Sequence, residues 1–98
     1  MSRDPIEGYF DREGRLMLWP SRKRGDLRQL VLKRLIARFE PEREYSEMEV
    51  NAILKAAHTF EDPALLRREL FDGGFLDRLP DGSRYRRIIS EDDASPPA

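Results

Sequence analysis

Two helix boundaries lie only a few residues apart in the middle of this chain, and together they restrict the fold more than any other feature. Ser46 can accept the amide of Glu49 while the Glu49 carboxylate reaches back to the Ser46 amide, which is a capping box. Tyr45 and Val50 occupy the two positions of a hydrophobic staple around that cap. Val50, Ile53, Leu54 and Ala57 then recur at helical spacing, so a helix is expected to run from the cap to about Ala57. The next helix has its own start signal in Asp62-Pro63: an aspartate suited to the N-cap, and a proline at the first helical position, where its missing amide is not needed. Only a short turn near His58–Glu61 separates the two. Helices so closely joined form a helix-turn-helix unit.

The remaining elements follow from similar punctuation. Leu66 and Leu70 are expected to point inward from the third helix, with Leu65 at its edge, and Gly73-Gly74 supplies a left-handed C-cap. Phe75–Leu79 and Arg84–Ile89 read as strands joined by Pro80-Asp81-Gly82-Ser83, a hairpin directly after the third helix. Upstream, Leu27, Val31, Leu35 and Phe39 recur at four-residue steps, widened by Leu30, Leu32 and Ile36. That predicts a first helix starting between Arg22 and Asp26 and running to Phe39, with Pro41 stopping it. Tyr9-Phe10 and Leu16–Trp19 flank a glycine-containing turn, which predicts an N-terminal hairpin ended by Pro20. The order is that of an α+β winged helix-turn-helix: three helices, a C-terminal β-hairpin wing and an extra N-terminal hairpin. Residues 1–8 and the acidic, proline-containing segment 90–98 read as disordered, leaving residues 9–89 as one winged-helix domain.

Composition narrows the functional classes. The 98 residues contain no cysteine, so disulfides and thiolate metal sites are excluded. The N-terminus lacks a signal-peptide core and no apolar run approaches the ~20 residues that span a bilayer, so a soluble, cytoplasmic chain without membrane association is expected. His58 is the single histidine, and with Glu61 and Asp62 it makes a poor transition-metal set; a helix-end histidine near the C-terminal dipole is the plainer reading. Ser46 and Ser83 have no nearby base, and the carboxylates are scattered. No cofactor, metal or catalytic constellation is read here, and the chain is expected not to be an enzyme.

Charge is more informative locally than in total. The net charge is −1, yet Ser21–Arg38 carries seven basic residues against one acid, and Glu40–Glu49 five acids against one base. On the third helix Ala64, Arg67, Arg68 and Phe71 share the face opposite Leu66 and Leu70. In a helix-turn-helix that face enters the major groove, where a planar guanidinium can bond O6 and N7 of guanine. Arg84 and Arg86 on the wing, with Arg22, Lys23 and Arg24 at the start of the first helix, are candidate phosphate contacts. The alternative is an exposed helix face whose arginines pair with Glu61, Glu69 or Asp72, with Phe71 packed under the wing. Trp19, with Tyr9 and Phe10, either covers the first helix or offers a homodimer edge.

Several segments together resemble a small bacterial domain family of unknown function: Tyr9-Phe10-Asp11 with Gly14-Arg15-Leu16, Trp19-Pro20, Glu44–Leu54, Leu65–Leu70 and Asp81–Arg87. Members of that family occur alone or fused behind ArsR-type winged-helix repressors. The resemblance implies a bacterial protein in a transcriptional setting but does not imply a particular biochemical activity; the matching residues able to bind are Asn51, Arg67, Arg68, Tyr85 and Arg86. Two functions are carried forward. One is a nucleic-acid-binding transcriptional regulator or accessory whose partner is double-stranded DNA. The other is a non-catalytic adaptor that binds a protein through the aromatic N-terminal segment or the acidic stretch.

Overall fold

The computed structural model describes residues 4–81 and 83–88. Among them are three α-helices, α1 (Gly25–Ile36), α2 (Glu47–Ala57) and α3 (Pro63–Asp72), and three short strands, β1 (Glu44–Ser46), β2 (Leu76–Arg78) and β3 (Arg84–Arg87). A single 3-10 turn covers Glu7–Tyr9. The strands form one antiparallel sheet in the order β1-β3-β2, so the fold is α+β.

Local chemistry sets the helix ends. The Ser46 hydroxyl accepts from the Glu49 amide at 3.1 Å and the Glu49 carboxylate accepts from the Ser46 amide at 2.9 Å, completing the capping box. Tyr45 and Val50 on either side of it are buried. At α3 the Asp62 carboxylate accepts from the Leu65 amide at 3.2 Å, ahead of Pro63. The α3 C-terminus is a Schellman motif: Phe75 N–H donates to the Leu70 carbonyl at 2.8 Å and Gly74 N–H to that of Phe71 at 3.2 Å. Gly74 carries the left-handed φ of +82°, while a Cβ on Gly73 would lie 2.9 Å from the Glu69 carbonyl oxygen. Both glycines of the pair are therefore needed, for different reasons.

The core lies between the helices and the inner face of the sheet. Leu27, Val31, Leu32, Leu35 and Ile36 of α1 meet Val50, Leu54 and Ala57 of α2, Leu66 and Leu70 of α3, and Tyr45, Leu76 and Tyr85 of the sheet. Leu30, expected to widen the α1 stripe, is instead 39% exposed. Helix α1 also ends three residues early. Its last turn tightens, with Arg38 donating to Leu35 and Phe39 to Ile36, and this still delivers Phe39 to the core. There Phe39 meets Tyr45 edge-on at 5.2 Å.

Three expectations change. The expected N-terminal hairpin shrinks to a single antiparallel bridge between Phe10 and Leu16, because Leu16 pairs elsewhere. Its amide donates to the Ala57 carbonyl at 2.8 Å and its carbonyl accepts from Thr59 at 2.9 Å, so the segment clamps the α2–α3 junction instead of extending its own ladder. Ile6, within the segment expected to be disordered, is buried in the core. Finally, β1 was not anticipated; it turns the expected two-stranded C-terminal hairpin into a three-stranded sheet. Residues 1–3 and the acidic segment 90–98 lie outside the described residues, as do Gly82 and the last strand position expected, Ile89. No helix among the described residues is long and apolar enough to cross a membrane.

The junction between α2 and α3 is fastened by His58, which is buried. Its Nδ1 lies 2.5 Å from the Leu54 carbonyl and its Nε2 accepts from the Asp62 amide at 2.8 Å. An acceptor at Nε2 places the ring proton on Nδ1. His58 is thus a structural bracket between the helices, and Phe60 covers it edge-on at 4.6 Å.

Candidate nucleic-acid interface

Helix α3 and the sheet enclose a cleft of about 180 Å³ lined by Arg67, Arg68, Phe71, Arg78 and Tyr85. Three guanidinium groups and two aromatic rings converge there, and among the described residues no carboxylate lines it. The register of the sheet explains the convergence. Arg78 of β2 stands opposite Tyr85 of β3, which in turn stands opposite Tyr45 of β1, so the three occupy one row of the sheet. Tyr45 and Tyr85 are buried in that row, while Arg78, at the strand end, extends past the core into the cleft and lies 6.0 Å from the Phe71 ring centre.

On the helix side, Ala64 and Arg68 are exposed and Phe71 is 44% exposed, as their common face predicts. Arg67 is different. Its Nη1 donates to Asn51 Oδ1 on α2, its Nη2 lies 3.8 Å from Glu47 Oε1, and its side chain is only 22% exposed. The alternative partners considered for these arginines, Glu61, Glu69 and Asp72, do not engage them among the described residues. Arg68 and Arg78 have no carboxylate partner among the described residues.

Other candidate residues are placed elsewhere. Tyr85 is 5% exposed and forms the cleft floor, so a free side-chain reader is not what it supplies. Arg86 points from the opposite face of β3, where its cross-strand neighbours are Glu44 and Asp77. Arg84 shares that outer face, opposite Ser46. Arg22, Lys23 and Arg24 are exposed before α1 and do not line the cleft. Arg24 is held by Asp26 at 3.1 Å, a contact that raises the Arg24 pKa and lowers that of Asp26.

Arg78 is the site residue that sequence reading missed. Strand alternation carried the signal: Leu76 faces the core, so Arg78, two residues on, must share its side of the sheet. The perturbed carboxylates all lie outside the cleft. Hydrogen bonds from Arg34 and the Ile6 amide lower the pKa of Asp4, those from the Arg15 amide and side chain lower Asp11, and those from the Ser83 amide and hydroxyl lower Asp81. Among the described residues no group of three or more histidines and acids is arranged to hold a metal ion.

A family model described as an uncharacterized protein conserved in bacteria matches residues 15–87, which includes every residue of the cleft. No curated protein and no solved structure matches the chain.

Proposed function

The chain belongs to the bacterial family DUF2087, and from that premise we propose that it is a DNA-binding domain of winged-helix form, acting as a transcriptional regulator or its accessory. The observation that carries the reading is the cleft in which Arg67, Arg68 and Arg78 gather around Phe71, with Glu47 approaching only Arg67, from outside the lining. Arg68 and Arg78, which have no carboxylate partner among the described residues, keep their charge available to a polyanion, and each phosphate neutralised releases condensed counterions. Support for the winged-helix form comes from connectivity: a strand between α1 and α2, two helices across a five-residue turn (58–62), and a hairpin after the last helix.

In this reading α3 lies in the major groove, with Ala64 small enough to allow close approach and Phe71 placed to meet a thymine methyl group. The β2–β3 hairpin follows the backbone, and Arg78 rather than Arg86 is its principal phosphate contact. Fluorescence anisotropy with a random-sequence duplex at roughly 50 and 200 mM salt tests the proposal. Binding that weakens steeply with salt, and that falls roughly ten- to a hundredfold in the Arg68→Ala/Arg78→Ala double variant with its melting temperature intact, is expected. A chain that binds no duplex even at the lower salt overturns the proposal.

A further inference from the structure

We infer that Asn51 is a positioning residue that fixes Arg67 as the base-reading side chain of the cleft, while Arg68 and Arg78 hold phosphates. The inference rests on the duplex-binding reading above and divides the work among its three arginines.

The division follows from what each guanidinium touches. Arg67 is gripped from α2 by two residues one helical turn apart, with Asn51 Oδ1 accepting from Nη1 and Glu47 Oε1 near Nη2. It is also the more buried of the two α3 arginines. A guanidinium held in this way loses little side-chain freedom when a ligand arrives, and its planar fork keeps a set direction. Reading O6 and N7 of guanine needs both properties, because two parallel hydrogen bonds must form at once. An arginine has five N–H donors, so the bond to Asn51 leaves others for a base. Arg68 and Arg78 have no such restraint among the described residues; Arg78 only lies over Phe71. Long unrestrained cations suit phosphates, whose position along the duplex can be followed without an exact angle. Asn51 therefore acts through Arg67, across sixteen residues of sequence.

Two measurements test this. In the free protein, arginine Nε relaxation by NMR is expected to show Arg67 ordered and Arg68 and Arg78 mobile; equal mobility of all three overturns the inference. Selection from a random duplex pool is then compared across variants. The wild type is expected to enrich a motif with a preferred guanine, and Asn51→Ala to reduce that preference by about tenfold without a change in melting temperature. Asn51→Asp keeps an acceptor for Arg67, so it retains the preference while binding more weakly overall because of its added negative charge. Arg68→Ala and Arg78→Ala keep the motif and lose affinity evenly across sequences, with a salt slope shallower by about 0.9 each. Wild-type binding without base preference overturns the inference. So does a guanine preference untouched by Asn51→Ala, or one lost in both Asn51 variants, which would make Asn51 a direct contact. A wild type that binds no duplex removes the functional reading itself, and is thereby distinguished from these outcomes.

Discussion

The basic stretch around α1 and the cleft beside α3 are both rich in arginine, but their guanidinium groups are employed differently. Around α1 several of them hold the N-terminal segment in place. Arg28 donates to the Pro20 carbonyl at 2.8 Å and stacks 5.0 Å from the Trp19 ring centre. Arg34 pairs with Asp4 and stacks on Phe10, and Arg38 donates to the Gly14 carbonyl at 2.7 Å. Beside α3, Arg68 has no such internal duty among the described residues, and Arg78 only lies over Phe71, within the cleft itself. The denser run of positive charge is thus the more structural one, and the sparser one keeps cations available to a ligand. Counting charges along a sequence does not reveal which of them are already paired.

That contrast can be broken by substitution, since changes on the α1 side should alter stability alone and changes in the cleft should alter binding alone. The largest effect is expected from Leu16→Ala, which empties a fully buried site at the α2–α3 clamp. It should lower unfolding free energy by about 2–5 kcal/mol in urea titrations. Next is the Arg68→Ala/Arg78→Ala double variant, with duplex affinity reduced by roughly ten- to a hundredfold and thermal stability unchanged. Ser46→Ala removes one half of the capping box and should destabilise by about 1 kcal/mol, with no preference between the two regions. Arg28→Ala should cost about 0.5–1 kcal/mol through the lost stacking on Trp19, and leave duplex affinity as it was.

The smallest effect is one of pH. Asp4 and Asp11 both have pKa values held below the ordinary aspartate range, Asp4 chiefly by the Arg34 side chain and Asp11 chiefly by the Arg15 amide. A depressed folded-state pKa stabilises the fold above the unfolded value of about 3.9 and ceases to do so as pH falls through the folded value. Asp4 is exposed and Asp11, though half-buried, sits in a surface turn, so the change is slight. Trp19 fluorescence should report loosening of the N-terminal segment on acidification below about pH 4, before global unfolding. Ring chemical shifts of Phe71 should move far less over the same interval, because no carboxylate is among the described side chains that line the cleft.

How much of this was legible depended on sequence distance. The capping box, the Asp62-Pro63 start and the Gly73-Gly74 stop each involve groups within a few residues of one another, so a linear reading finds them. Strand β1 has three residues, and its partners Arg84, Tyr85 and Arg86 lie some forty positions away, so nothing local distinguishes it from an acidic loop. The N-terminal hairpin failed for a related reason. Its turn is present, with Asp11 donating to the Arg15 carbonyl at 2.8 Å, but the backbone of Leu16 finds better-placed partners at Ala57 and Thr59. In the cleft, the shared face of Ala64, Arg67, Arg68 and Phe71 followed from helical periodicity alone. The pairing of Arg67 with Asn51 and the arrival of Arg78 required the packing of α3 against α2 and the sheet.

The most direct test of the claim that the cleft beside α3 is the binding face is amide and arginine chemical-shift mapping of the protein titrated with a short duplex. Perturbations gathered on Ala64, Arg67, Arg68, Phe71 and Arg78, with Arg28 and Arg34 unmoved, are the predicted result. Perturbations centred on Trp19 and the start of α1, with α3 silent, would contradict it.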